Sequence, residues 1–229
     1  MKTIGLIGGT SWESTLLYYQ KLNELTAQEL GGLHSARCLL YSLDFQDVID
    51  RLDVGDWKGA GEISVRAAKT LEQAGADFIL LCANTAHKSY HQIQDSIDIP
   101  ILHLADVVAD YLRQKGFRKV GLLGTKYTMG EDFYKPYLAA AGLTVCTVPA
   151  EEMEEVNRII YDELCKGIIR DNSTDYLLSM CRRMAADGAE GVILGCTELG
   201  LILHDGDLSI PFFDTIRLHC EAAVRKSLN

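Results

Sequence analysis

Residues Gly188-Ala189-Glu190-Gly191-Val192-Ile193-Leu194-Gly195-Cys196-Thr197-Glu198 decide how the chain is to be read. Val192, Ile193 and Leu194 make an apolar, partly β-branched run, the pattern of a strand covered on both faces. Gly195 permits a sharp turn, and Thr197-Glu198 suits the first turn of a helix. Cys196 is therefore expected at the carboxyl end of a buried strand, beside open helix N–H groups and a positive dipole end. Both favour thiolate over thiol, which makes Cys196 a candidate base or nucleophile. Cysteine is also among the most buried residue types, so the stretch alone reads first as a strand end closed by a small side chain.

A second copy changes that reading. Gly75-Ala76-Asp77-Phe78-Ile79-Leu80-Leu81-Cys82-Ala83-Asn84-Thr85 has the same form. Laid on the first stretch without gaps, Gly75 falls on Gly188, Asp77 on Glu190 and Asn84 on Thr197. Cys196 then faces Ala83, and Cys82 falls on Gly195. Two more stretches recur in the same order. Val120-Gly121-Leu122-Leu123-Gly124-Thr125 echoes Ile4-Gly5-Leu6-Ile7-Gly8-Gly9, and Ile210-Pro211-Phe212-Phe213-Asp214 echoes Ile99-Pro100-Ile101-Leu102-His103. The offsets, Gly5 to Gly121, Ala83 to Cys196 and Pro100 to Pro211, are 116, 113 and 111 residues, a drift that loop lengths account for. The pattern is an α/β fold of two pseudo-symmetric domains from an internal duplication, each a mostly parallel sheet flanked by helices. The expected domains are 1–104 plus 212–229, and 105–211.

Between these landmarks the first half reads as a strand over Lys2–Ile7, a helix over Trp12–Leu30 stopped by Gly31-Gly32, and a strand over Ala36–Ser42. A charged segment runs to Trp57, followed by a helix over Gly59–Ala74, a strand over Ile99–His103 and a helix over Ala105–Lys115. Parallel α/β sheets bind ligands at the carboxyl ends of their strands. Thr10-Ser11, Asn84-Thr85, Thr125 and Cys196-Thr197 all fall at such ends, and two domains related by an approximate two-fold would bring them to one interdomain cleft. The turn at Gly8-Gly9 is expected to bare backbone N–H groups as an anion site. Its glycine spacing is not that of the dinucleotide fingerprint, so no Rossmann cofactor is expected.

The net charge of −10, from 22 basic and 32 acidic residues, argues against nucleic acid or an anionic membrane as a partner. No apolar run has membrane length, and the opening MKTIGLIGGTSW enters a strand directly instead of forming a signal peptide. Seven cysteines without a C-x-x-C pair or zinc-like Cys/His spacing point to a reducing cytoplasm and no metal site. Cys38, Cys146, Cys165, Cys181 and Cys220 read as packing residues.

Five motifs carry a resemblance over the whole chain: Gly5-Leu6-Ile7-Gly8-Gly9-Thr10-Ser11-Trp12-Glu13-Ser14, Asn84-Thr85-Ala86-His87, Leu123-Gly124-Thr125-Lys126-Tyr127-Thr128-Met129, Gly195-Cys196-Thr197-Glu198 and Phe213-Asp214-Thr215. They resemble the aspartate/glutamate racemases, cofactor-independent amino-acid racemases, and are closest to the branch acting on L-aspartate and L-glutamate. The resemblance implies an interdomain active site, no pyridoxal phosphate or other cofactor, a small amino-acid substrate and a homodimer. It implies a catalytic cysteine on each face of the substrate Cα, with Cys196 as one of them. Asn84, Thr85 and Thr197, with Thr10 and Thr125, fall where the family binds substrate, and such donors would meet the charge that develops on the α-carboxylate.

The departure is at the other face. The family's first cysteine directly precedes Asn-Thr, and here that residue is Ala83, which has no proton to give. Cys82 is the remaining thiol candidate, but neighbours in a strand point to opposite faces, so it aims into the core unless the backbone has already turned. The resemblance implies a lysine near Lys166, paired with an arginine from the first domain, to hold a distal carboxylate. Arg51 is the candidate partner, and both residues also read as solvated surface charges. Glu198 is placed to accept the thiol proton or to favour a helix start, and His103, matched to Asp214 in the repeat, is a supporting group or a core histidine. A single thiol also suits protonation after decarboxylation, as in the related arylmalonate decarboxylases, and a two-domain cleft also suits a non-catalytic amino-acid-binding module.

Overall fold

The computed structural model describes residues 1–229. The chain divides into two compact units, residues 1–104 with 219–229, and residues 105–218. The first unit runs β1 (Ile4–Gly8), α1 (Trp12–Leu30), β2 (Cys38–Ser42), α2 (Phe45–Asp53), α3 (Trp57–Gln73), β3 (Phe78–Leu81) and α4 (Tyr90–Gln94), and α5 (Leu104–Gln114) opens at its boundary. The second continues with β4 (Lys119–Gly124), α6 (Lys126–Gly130), α7 (Lys135–Ala140), β5 (Thr144–Cys146), α8 (Ala150–Arg158), α9 (Asp171–Ala186), β6 (Val192–Gly195) and β7 (Phe212–Asp214), and α10 (Thr215–Leu228) closes the chain. No helix is long and apolar enough to cross a membrane.

Capping residues set the helix limits. Ser11 opens α1 by accepting the Ser14 N–H, Asp44 opens α2 by accepting from Gln46, and Asp56 opens α3 by accepting from Gly59. Gly31, at φ 70°, closes α1. Every residue of β1, β3 and β6 is buried, as a parallel sheet covered on both faces requires. In the first unit, Ile7, Ile79 and Leu81 pack with Ala67, Ala68 and Leu71 of α3. In the second, Leu123, Val192 and Leu194 pack with Leu177, Cys181 and Met184 of α9.

The two sheets share one topology. The first is ordered β2-β1-β3 and the second β5-β4-β6-β7, all parallel. Gly5 pairs with Ile79, which bridges to Ile101; Gly121 pairs with Val192, which pairs with Phe212. Residues 5, 79 and 101 thus correspond to 121, 192 and 212, offsets of 116, 113 and 111, the same three that the sequence motifs show. The duplication is written in the hydrogen-bond register as well as in the residues.

Two expectations need correction. Ile99–His103 is not a strand but a single bridge at Ile101. Toward β3 the Pro100 carbonyl accepts the Ile79 N–H (3.0 Å) and the Leu102 N–H donates to the Ile79 carbonyl (2.9 Å), but Pro100 has no N–H with which to extend the ladder. The return to the first unit comes at His219, not at Phe212, because β7 pairs with β6 and keeps Phe212–Leu218 in the second unit.

Candidate active site

In the second unit, β4 and β6 end in register at Gly124 and Gly195, so Thr125 and Cys196 leave the sheet side by side. The strands close tightly there: a Cβ on Gly124 would stand 2.9 Å from the Gly195 carbonyl oxygen. Thr125 is spent locally, accepting the Thr128 N–H (3.3 Å) and bonding the Thr128 hydroxyl (3.1 Å) as the cap of α6. Cys196 is extended and leads into a 3₁₀ turn, Thr197–Leu201, whose Leu199 N–H donates to the Cys196 carbonyl (3.2 Å). The Cys196 thiol donates to Glu198 Oε2 at 2.9 Å, and the Thr197 hydroxyl donates to the same oxygen at 2.6 Å. Thiol and carboxylate are both buried, at 9% and 8% exposure.

Burial, followed by the charge and hydrogen bond of Glu198, pushes the Cys196 thiol well above its ordinary pKa. The expected thiolate at a helix dipole is therefore corrected to a resting thiol. One short 3₁₀ turn supplies too small a field to outweigh desolvation and an adjacent carboxylate. Tyr161 and Cys165 pack into the same apolar cluster as Cys196 and were not singled out in the sequence as site residues. They sit on a π turn, Ile159–Glu163, and a 3₁₀ turn, Leu164–Lys166. Glu163, 1% exposed, anchors this segment by accepting from Ser173 (2.6 Å) and Arg158 (2.9 Å), with Arg170 at 3.7 Å. The Ser173 bond, with the arginines, holds its carboxyl below the usual range. The π turn is the one local sign of the site that no periodicity reveals. Lys166 projects from the end of the segment, exposed, and pairs with Asp162 at 3.1 Å.

In the first unit, the turn after β1 is closed by its own side chains. Gly9, at φ 91°, has no room for a Cβ against the Leu43 backbone, and its N–H donates to Thr15 Oγ1 at 2.8 Å. Ser11 caps α1. The expected anion site at Gly8-Gly9 is thus corrected: the Gly9 donor is spent within the fold. Thr10 is half-buried beside it. Cys82 still belongs to the sheet, its N–H donating to Ile7 (2.9 Å) and its carbonyl accepting the Ser14 hydroxyl (2.7 Å). It is 1% exposed, and burial, then Cys38, raises its pKa far above a free thiol. Ala83, half-buried, is the first residue past the ladder.

Asn84 is buried and makes no side-chain cap bond to the 3₁₀ turn Thr85–Ser89 that it precedes. His87 in that turn is 2% exposed, and its ring sits between the Ala83 carbonyl (Nδ1, 3.0 Å) and the Leu104 N–H (Nε2, 3.2 Å). His103 packs edge-on against His87 (4.8 Å) and Tyr90 (4.6 Å), and His219 takes the Tyr18 hydroxyl and the Leu102 carbonyl, each at 2.9 Å. Burial lowers all three imidazoles, His87 to about 4, His219 to about 3 and His103 to about 2. His103 is thus a buried neutral ring, while Asp214, its match in the repeat, caps α10 through the Ile216 and Arg217 N–H groups (2.8 and 3.2 Å). Arg51 is exposed at the end of α2 and pairs with Asp56 at 3.2 Å.

The chain that carries these residues matches a known family. Residues 7–223 match the model of the Asp/Glu/Hydantoin racemases. A crystal structure from Yersinia pestis, assigned as an Asp/Glu racemase, is 44% identical, covers 100% of both chains and superposes with a TM-score of 0.95. An aspartate racemase homologue from Pyrococcus horikoshii OT3 is 38% identical over 100% of both chains, with a TM-score of 0.87. The broad-specificity amino-acid racemase RacX of Bacillus subtilis (strain 168) is 24% identical over 93% of this chain and 92% of its own. The chain belongs to the Asp/Glu/Hydantoin racemase family and is an isomerase of the amino-acid racemase kind.

Proposed function

We propose that the protein racemises an acidic amino acid, aspartate or glutamate, with no cofactor, and that Cys196 is its thiol acid/base. The observation that carries this reading is the Cys196–Glu198 contact at 2.9 Å, at the carboxyl end of β6. At rest the sulfur carries its proton and points it at a carboxylate. For removal of the substrate α-proton, the thiol proton passes to Glu198 and the sulfur takes the proton from Cα. Return by the same sulfur restores the starting enantiomer. Inversion takes a proton from water on the opposite face of the carbanion, because Ala83 has none to give, and the hydroxide left behind is neutralised by the proton that Glu198 releases. Thr197, its hydroxyl held by the same Glu198 oxygen (2.6 Å), keeps that carboxylate turned toward the sulfur. Asn84 and Thr85, with Thr10 and Thr197, are assigned to the α-carboxylate, where negative charge grows as the proton leaves. Lys166 exchanges Asp162 for the distal carboxylate of the substrate.

The test is incubation of the purified protein with each enantiomer of aspartate, glutamate and a set of neutral amino acids, followed by chiral chromatography. Loss of enantiomeric purity is expected for the acidic pair. Lys166→Ala is expected to raise KM for the acidic substrates by about 1.5–3 kcal/mol of lost charge-assisted binding, and to leave neutral ones little changed. A neutral or basic amino acid as the best substrate would remove the acidic specificity.

A further inference from the structure

His87 lies one turn behind the residues assigned to the substrate carboxylate. It has no counterpart in the second unit: at the repeat offset of 113 its place is taken by Gly200. The Thr85–Ser89 segment is a 3₁₀ turn, so the His87 backbone N–H bonds Asn84 (3.1 Å), three residues back. In an α-helix that N–H would go to Ala83, four residues back. The His87 ring takes over, with Nδ1 3.0 Å from the Ala83 carbonyl. Its partners fix the tautomer. A carbonyl only accepts and the Leu104 N–H only donates, so Nδ1 carries the hydrogen and Nε2 is the acceptor. The matched carbonyl in the second unit, that of Cys196, is held by the Leu199 N–H. The ring does in one unit what backbone does in the other.

We propose that His87 is a positioning residue: by holding the Ala83 carbonyl it sets the plane of the Ala83–Asn84 peptide, and with it the direction in which Asn84 and Thr85 meet the substrate. The inference rests on the assignment of Asn84 and Thr85 to substrate binding. The groups that face the ring are His103 at 4.8 Å and His219 at 6.0 Å between ring centroids. Both are buried and neutral, so the ring acts through its two hydrogen bonds.

Two variants separate those bonds. In His87→Asn the side-chain nitrogen stands where Nδ1 stood, keeping the Ala83 bond and losing the one to Leu104. In His87→Gln the amide oxygen reaches the Leu104 N–H and the Ala83 bond is lost. The expected result is that His87→Gln lowers kcat at least tenfold and His87→Asn stays within threefold of wild type, although both lower Tm. Amide hydrogen exchange gives a readout independent of turnover: Asn84, Thr85 and Ala86 exchange at least tenfold faster in His87→Gln and at wild-type rates in His87→Asn. Equal exchange at these amides in the two variants, or kcat losses that simply follow Tm, would overturn the proposal. Absence of wild-type turnover would count against the racemase reading, and the exchange result would still decide the role of His87.

Discussion

The two units are built from one pattern, yet the residues just past their central strands differ in every chemical respect. After β6 comes a thiol with a carboxylate at 2.9 Å and its carbonyl tied by backbone. After β3 comes an alanine, its carbonyl tied by a buried imidazole at 3.0 Å. Duplication preserved the sheet register to the residue and let the tips diverge. A sheet register is locked by burial on both faces, because a slip of one residue would turn every side chain over. The first residue beyond the ladder carries no such constraint. That is where one unit carries a thiol against a carboxylate and the other an alanine.

The largest effect expected of this asymmetry is at Cys196. Cys196→Ser should fold normally, with a Tm within a few degrees, and lose turnover by about 10²–10⁴-fold, the usual contribution of a positioned acid or base. Activity within a few-fold of wild type would move the chemistry away from the second unit.

Next in size is an acid response confined to the first unit. His87, His219 and His103 are buried neutral, with folded pKa values near 4, 3 and 2, whereas an unfolded histidine takes up its proton near 6.5. Depressed histidines stabilise the fold above that value. As pH falls below about 6.5 the unfolded chain gains protons that the folded chain refuses, and stability drops by at most about 1.4 kcal/mol per pH unit per histidine until each folded value is reached. In the second unit the buried Glu163 is a carboxylate held low, whose stabilisation is kept until pH falls below the usual 4.5. Between pH 7 and 5, exchange corrected for its intrinsic pH dependence should rise at the β1 and β3 amides and stay level at β4 and β6. Parallel loss of protection in both sheets would break the contrast.

A smaller effect is expected from restoring symmetry. Ala83→Cys places a thiol at the position matched to Cys196, and Ala83 is half-buried, so the added sulfur has somewhere to go. Racemisation should accelerate at least tenfold, an effect that can fall short of the roughly 10²–10⁴-fold of a fully positioned acid because the added sulfur is not held by a carboxylate as Cys196 is. Smallest is the ratio of solvent exchange to inversion in the wild type. With one resident thiol, the α-proton of one enantiomer should exchange with heavy water a few-fold faster than the centre inverts, read by proton NMR beside chiral chromatography. Inversion as fast as exchange, abolished by Cys82→Ala, would instead make Cys82 the second thiol, despite its place in the sheet and its full burial.

Much of this was legible in the residues. Gly-Ala-acid followed by an apolar run, twice, located β3 and β6, and the 116, 113 and 111 offsets foretold the pairing of both sheets, because strand signals are local and a buried strand has few alternative registers. The slip that sets Ala83 against Cys196 was visible for the same reason. Protonation was not. The sequence places Glu198 two residues from Cys196, but only the fold turns the carboxylate back onto the sulfur and buries both, which reverses the expected thiolate. Likewise Gly9 looked like an open donor until Thr15, one turn into α1, took its N–H. Glu163 found Ser173 and Arg170 at the far end of a π turn, and His87 found Leu104 seventeen residues on. Strand patterns depend on neighbours along the chain. Proton affinity and donor availability depend on which distant groups come within 3 Å and on how much water is left between them, and tertiary structure alone decides that.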